Sequence, residues 1–172
     1  MTGSISLGDL NALPAEKFVE RLGEVFEHSP WVAEAAEIAR PFADVRALHD
    51  AMAEALHGAG RDRQTALVHA HPDLAGRLAL AGELTQSSTT EQAAAGLDQC
   101  TPDELDRFRA LNDAYKARFG FPFIMAVKGR TRADILAAFE HRLEHAEADE
   151  FATALDQIAR IAWLRLQDLI AE

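Results

Sequence analysis

Two short runs of this chain carry the side chains that proton-transfer chemistry uses, His71-Pro72-Asp73-Leu74-Ala75-Gly76-Arg77 and Ser88-Thr89-Thr90-Glu91-Gln92. Imidazole changes charge near neutral pH, and a polar cluster within reach of it can set its protonation state. Pro72 drives His71 out of the α region and ends a helix running through Leu67 and Val68, while Asp73 is placed to cap a helix starting at Leu74. The imidazole then sits at a helix–helix junction. The same residue also reads as a turn histidine that hydrogen-bonds nearby backbone.

Ser88-x-x-Glu91 has two readings as well. It matches a capping box, with the serine hydroxyl on the amide three residues on and Glu91 reaching back. A helix start also presents free amides and the positive end of the dipole, so Ser88 and Gln92 would grip a carboxylate or urea-type ligand there. Glu91 would equally orient a histidine.

Two further features are out of place. Phe151, Leu155, Ile158, Ala162, Leu166 and Leu169 form one apolar stripe of a helix, and Arg165 falls inside it while Arg160 points the other way. A guanidinium there either snorkels to a surface carboxylate or is a buried fork for a substrate carboxylate. Residues Phe119 to Gly129 look like a buried strand bounded by glycines, with no second strand to pair with. Pro122 forces its start to be extended, so its amides are met by loops and water or form a row that binds a polar ligand.

The elements that hold these residues read as helices. Ser29-Pro30 supplies an N-cap and an N1 proline, Thr101-Pro102-Asp103-Glu104 a capping box, and Thr131 with Asp134 its acidic form. Leu105, Phe108, Leu111, Tyr115 and Phe119 recur at helical spacing, as do Ile135, Phe139 and Leu143. The expected fold is all-α, a single-domain bundle of about seven to nine helices spanning residues 1–172, with no sheet and no internal repeat.

At 172 residues and 48% apolar content, the chain can bury a core without staples. A net charge of −11 argues against nucleic acid as partner, since phosphate binding needs a basic field. An anionic small molecule would have to be met by a few locally placed donors. No apolar stretch approaches the roughly 18 to 20 residues of a membrane helix. The single cysteine, Cys100, and the lack of a leader pattern before Asn11 lead us to expect a soluble, cytoplasmic protein.

Three metal- or phosphate-like strings are weak. His141-Arg142-Leu143-Glu144-His145 matches a zinc-peptidase string with both histidines on one helix face, but it lacks a third ligand and a cleft, and reads as a solvated face. His69-x-His71 resembles the metal pair of a barrel hydrolase, a fold of about 250 residues that this chain is too short to build. Gly58-Ala59-Gly60 is an inter-helix turn without the Lys-Ser/Thr of a phosphate loop.

Taken together, His71 to Arg77, Ser88-x-x-Glu91-Gln92, Phe119-Gly-Phe-Pro-Phe123 and Leu164-Arg-Leu166 resemble the 2-oxo-4-hydroxy-4-carboxy-5-ureidoimidazoline (OHCU) decarboxylases of urate breakdown. Glu27-His-Ser-Pro-Trp-Val32 and Arg40-Pro-Phe42 are similar to that family too, so the likeness covers nearly the whole chain in order. It implies an all-α fold, usually dimeric, that converts OHCU to (S)-allantoin and CO2 without metal or organic cofactor. By the same resemblance His71 is the catalytic acid/base, with Glu91 beside it, and Pro72 lines the site. Ser88, Thr89, Thr90 and Gln92 contact substrate, backbone groups of Phe123, Ile124, Met125, Ala126 and Val127 hydrogen-bond it, and Arg165 is the cationic partner. Eukaryotic members often end in a Ser-Lys-Leu-type tail, whereas this sequence ends Ile170-Ala171-Glu172, which favours a bacterial-type cytoplasmic enzyme.

The chemistry agrees with the residues. Loss of CO2 leaves electron density that the substrate delocalises into its own ring, so no cofactor electron sink is required. The protein must hold the carboxylate, stabilise the developing charge and deliver one proton to one face. His71 would assist proton movement at the 4-hydroxyl and reprotonate carbon, with Glu91 tuning it or holding the ureido N–H groups. Two alternatives stand beside this: a metal-dependent amidohydrolase acting on a related ureide through His69, His71 and Asp73, and a non-catalytic helical interaction module.

Overall fold

The expected helix punctuation becomes nine α-helices among the described residues of the computed structural model, which describes residues 3–76, 79 and 82–171. They are α1 (Leu7–Ala12), α2 (Ala15–Leu22), α3 (Trp31–Glu37), α4 (Val45–Gly58), α5 (Arg61–Ala70), α6 (Gln86–Ala94), α7 (Pro102–Phe119), α8 (Arg132–Arg142) and α9 (Glu147–Leu169). The all-α expectation holds, with one small exception. Ile5–Ser6 (β1) and Ile170–Ala171 (β2) pair in parallel, Ile5 opposite Ile170. A two-residue strand has no periodicity to read, so this pair was not legible. No described helix is long and apolar enough to cross a membrane.

Packing divides the chain into two compact units, Met1–Leu67 with Ala159–Glu172, and Val68–Ile158. In the first, α3 packs on α2 and α4 over a core that includes Leu10, Phe18, Leu22, Val32, Leu48, Met52 and Leu56. The Arg40-Pro41 bond is cis, and Asn11 clips the following residue by donating to the Phe42 carbonyl and accepting from its amide, both at 2.9 Å. Ser29 does not cap α3 as expected: its hydroxyl donates to the Glu27 carbonyl at 3.0 Å, and Pro30 takes the cap position without a side-chain bond.

The second unit is built around aromatic side chains. Tyr115 makes ring contacts with Phe119, Phe121, Phe123 and Phe139, and Phe123 stacks on Phe139 with centroids 3.7 Å apart. Both predicted capping boxes form: Thr101 with Glu104 starts α7, and Thr131 with Asp134 starts α8. Within this apolar surround lies a buried ionic group. Glu150 accepts hydrogen bonds from the Tyr115 hydroxyl, from Arg142 Nε and Nη2 (3.1 and 2.8 Å) and from His145 Nδ1 (2.9 Å). Arg142 lies over the Phe123 ring and gives its remaining Nη1 to the Ile124 carbonyl at 2.6 Å.

Burial pushes the Glu150 carboxyl up, but Arg142, Tyr115 and His145 together outweigh it and hold the group below its ordinary value of 4.5. Stability from this carboxylate is therefore fully present above that ordinary value and is lost as pH falls through the lower folded one. In Glu150→Gln the loss of stability on acidification should be shallower than in the wild type, read from urea denaturation at a series of acidic pH values. Parallel curves for the two proteins would mean that the carboxylate contributes nothing to acid sensitivity.

Candidate active site

The turn after α5 has the form that the proline demands. Helix α5 stops at Ala70, and His71, only 7% exposed, follows with its amide donating to the Val68 carbonyl at 3.3 Å. Leu74 and Ala75 are in a turn rather than a helix, and Ala75 has a left-handed φ of 49°. The cap expected of Asp73 is corrected accordingly. Its carboxylate instead accepts from Lys116 Nζ at 2.7 Å. Gly76 is required by contact, since a Cβ there would lie 2.4 Å from the Asp73 Cβ. Arg77, last of the first run, lies outside the described residues.

This loop is clamped from α6 and α7. Gln92 uses both ends of its amide, Oε1 accepting from the Ala75 amide at 3.0 Å and Nε2 donating to the Asp73 carbonyl at 3.2 Å. Asn112, 3% exposed, donates to the Leu74 carbonyl at 3.0 Å. Gln92 was expected to contact substrate; in the structure both ends of its amide hold the loop that follows His71. Asn112 was missed, although the spacing of Phe108, Asn112, Tyr115 and Phe119 places it on the buried face of α7.

The capping-box reading of Ser88 and Glu91 is overturned. Helix α6 begins earlier, with Thr85 as N-cap accepting from the Ser88 amide at 3.2 Å. Ser88 is thus a residue of the first turn, buried with Gln92 one turn further along the same face. Glu91 is half-buried, whereas Thr89 and Thr90 are exposed and the Thr90 hydroxyl donates back to the Gln86 carbonyl. The two threonines are therefore not brought to the face that holds Ser88 and Gln92. With the cap supplied by Thr85, Thr85→Ala should cost about 1 kcal/mol of stability. Glu91→Gln should leave the melting temperature unchanged while lowering turnover; the reverse pattern would return Glu91 to a structural role.

The strand-like segment is not a strand. Helix α7 runs to Phe119, Gly120 caps it at φ 76°, and residues 121–127 have no regular structure. Phe123, Ile124, Ala126 and Val127 are buried and Met125 is half-buried. The Ala126 amide donates to Gln157 Oε1 at 2.9 Å, a partner that the sequence did not reveal. Among the described residues the amides of Phe123, Ile124, Met125 and Val127 have no intrachain acceptor. Peptide N–H groups in that state suit a ligand with carbonyl or carboxylate oxygens.

Arg165 belongs to the other unit. It is buried on the stripe of α9 as expected, yet its partner is neither a surface carboxylate nor absent. Arg165 Nη1 donates to Glu27 Oε2 at 3.1 Å and lies 3.3 and 3.4 Å from the Glu24 and Val25 carbonyls, with Glu27 1% exposed. Glu27 carried no periodic signal that would have announced this pairing.

The alternative metal set is not assembled. Among the described residues no three His, Cys, Asp or Glu side chains converge, and Asp73 is engaged by Lys116.

Comparison with known proteins extends this picture. The crystal structure of (S)-allantoin synthase matches with a TM-score of 0.78 at 33% identity, covering 96% of this chain and 54% of that one. The chain thus spans about half of that protein. The OHCU decarboxylase family model matches residues 11–167. The 2-oxo-4-hydroxy-4-carboxy-5-ureidoimidazoline decarboxylase of Haloferax volcanii is 46% identical over 95% of both chains. That of Halalkalicoccus jeotgali is 43% identical over 96% of this chain and 92% of its own. The chain belongs to the OHCU decarboxylase family, whose members are carboxy-lyases.

Proposed function

We propose that this chain decarboxylates OHCU to (S)-allantoin and CO2, without metal or organic cofactor, and that residues 1–172 act as one functional domain. The observation that carries the mechanism is the buried His71 on a loop held at three points by Gln92, Asn112 and Lys116. A general acid/base must be aimed at its target within hydrogen-bond reach, and a clamped loop provides that without reorganisation.

The bond from the ring to the carboxylate breaks, CO2 departs, and the electron pair enters the ring as an enolate-like species. His71 assists removal of the 4-hydroxyl proton and returns a proton to a ring carbon on one face, which sets the S configuration. Glu91 tunes the imidazole or holds ureido N–H groups, and Ser88 contacts substrate from the buried face of α6. Pro72 shapes the wall beside the imidazole. The amides of Phe123, Ile124, Met125 and Val127 donate to substrate oxygens, while Ala126 serves the segment through Gln157. Arg165 is the cationic partner, with its position fixed by Glu27. Thr89, Thr90 and Gln92 add further substrate contacts from α6.

We place the enzyme in the cytoplasm, on its single cysteine, and as a homodimer, on the family resemblance. Light scattering behind a sizing column should give the mass of two chains. For the activity, OHCU generated from urate in situ should disappear faster, by ultraviolet absorbance, as enzyme is added. A decay independent of protein concentration would contradict the assignment.

A further inference from the structure

The zinc-peptidase string identified in the sequence is not on one helix face, since α8 ends at Arg142. His145 lies in the turn beyond, yet its ring meets that of His141, with the two Nε2 atoms 3.4 Å apart. We infer that His141 and His145 form a binding site for a late first-row divalent metal ion of the Zn2+ type, separate from the residues of the proposed reaction.

Two imidazole nitrogens each about 2.0–2.1 Å from a tetrahedral zinc stand about 3.3–3.4 Å from one another, so the observed separation already suits a shared ion. The tautomer is set from behind. A carboxylate can only accept, so the 2.9 Å contact between Glu150 Oε1 and His145 Nδ1 places a proton on Nδ1, and Nε2, which shares with His141 Nε2 a hydrogen bond that the ion would replace, is the nitrogen left to bind. Glu150 is itself immobilised by Arg142 and Tyr115. This is the carboxylate–histidine–metal relay that raises ligand basicity and fixes ring orientation.

The backbone is pinned as well. The His145 amide donates to the Arg142 carbonyl at 3.1 Å, and its own carbonyl accepts from Arg118 Nη2 at 3.0 Å. Little ordering is left for the metal to impose. His141 is exposed and no third metal-binding side chain joins the pair among the described residues, so water completes the coordination. Such a site is exchangeable, and two imidazoles select Zn2+, Ni2+ or Cu2+ over Mg2+ or Ca2+.

The test is titration of tag-free, metal-stripped wild-type protein with ZnCl2 in a non-coordinating buffer by calorimetry, with MgCl2 as control. One saturable Zn2+ site per chain is expected, with no Mg2+ heat and a melting temperature raised by Zn2+. Affinity should fall about 10-fold or more in His141→Gln and in His145→Gln, and Zn2+ should no longer raise their melting temperature. His141→Gln carries the test should the more buried His145 variant fail to fold. Absence of saturable Zn2+ binding, or binding that is unchanged in His141→Gln, would overturn the site. Decarboxylation is not the readout, so failure here leaves the proposed reaction untouched.

Discussion

Replacing His71 with asparagine is expected to lower kcat by about 10²-fold or more while leaving the fold and its melting temperature close to wild type. The loss comes from removal of the imidazole at the proline bend, the group there whose ordinary titration range lies near neutral pH. The fold survives because the loop keeps its other anchors: Gln92 on the Ala75 amide and Asp73 carbonyl, Asn112 on the Leu74 carbonyl and Lys116 on the Asp73 carboxylate. The bond made by the His71 amide to the Val68 carbonyl belongs to the backbone and is kept. Steady-state kinetics and a thermal melt on the same preparation check this. Near wild-type turnover in a folded His71→Asn protein would make the histidine structural.

The second large effect is on stability. Arg165→Met removes the guanidinium beside Glu27, a carboxylate that is 1% exposed. Breaking one side of a buried ion pair leaves an uncompensated charge and costs about 3–5 kcal/mol. Neutralising both ends in a Glu27→Gln, Arg165→Met double variant should recover much of this, because no lone charge is then left inside. The double variant also separates packing from binding. Any remaining drop in kcat/KM, about 1.5–3 kcal/mol for one charge-assisted contact, reports on the substrate. A single Arg165→Met variant as stable as wild type would show that the pair carries no structural weight. Double-variant kinetics equal to wild type would remove Arg165 from the substrate site.

What the sequence made legible was local or periodic. Pro72 ended α5 where steric exclusion requires, Thr101 and Thr131 started their helices through residues three positions on, and the stripe of α9 placed Arg165 on the buried side. What it hid was long-range. The Glu27 partner of Arg165 is 138 residues away, and the Gln157 that meets the Ala126 amide is 31 away. No spacing rule reaches so far. The misplaced cap of α6 has a different cause: Thr85 and Ser88 are both good N-caps three residues apart, and a capping-box pattern cannot choose between them. Asn112 and Arg142 were readable in principle, because each interrupts an apolar helical face as Arg165 does.

The most direct measurement of the central claim is circular dichroism of the product. OHCU is formed in place from urate with uricase and hydroxyisourate hydrolase, this protein is added, and the allantoin signal is followed in time. Rapid growth of the (S)-allantoin band is expected at a rate proportional to enzyme, slowed about 10²-fold or more in His71→Asn. Slow formation of optically inactive allantoin at the uncatalysed rate would contradict it.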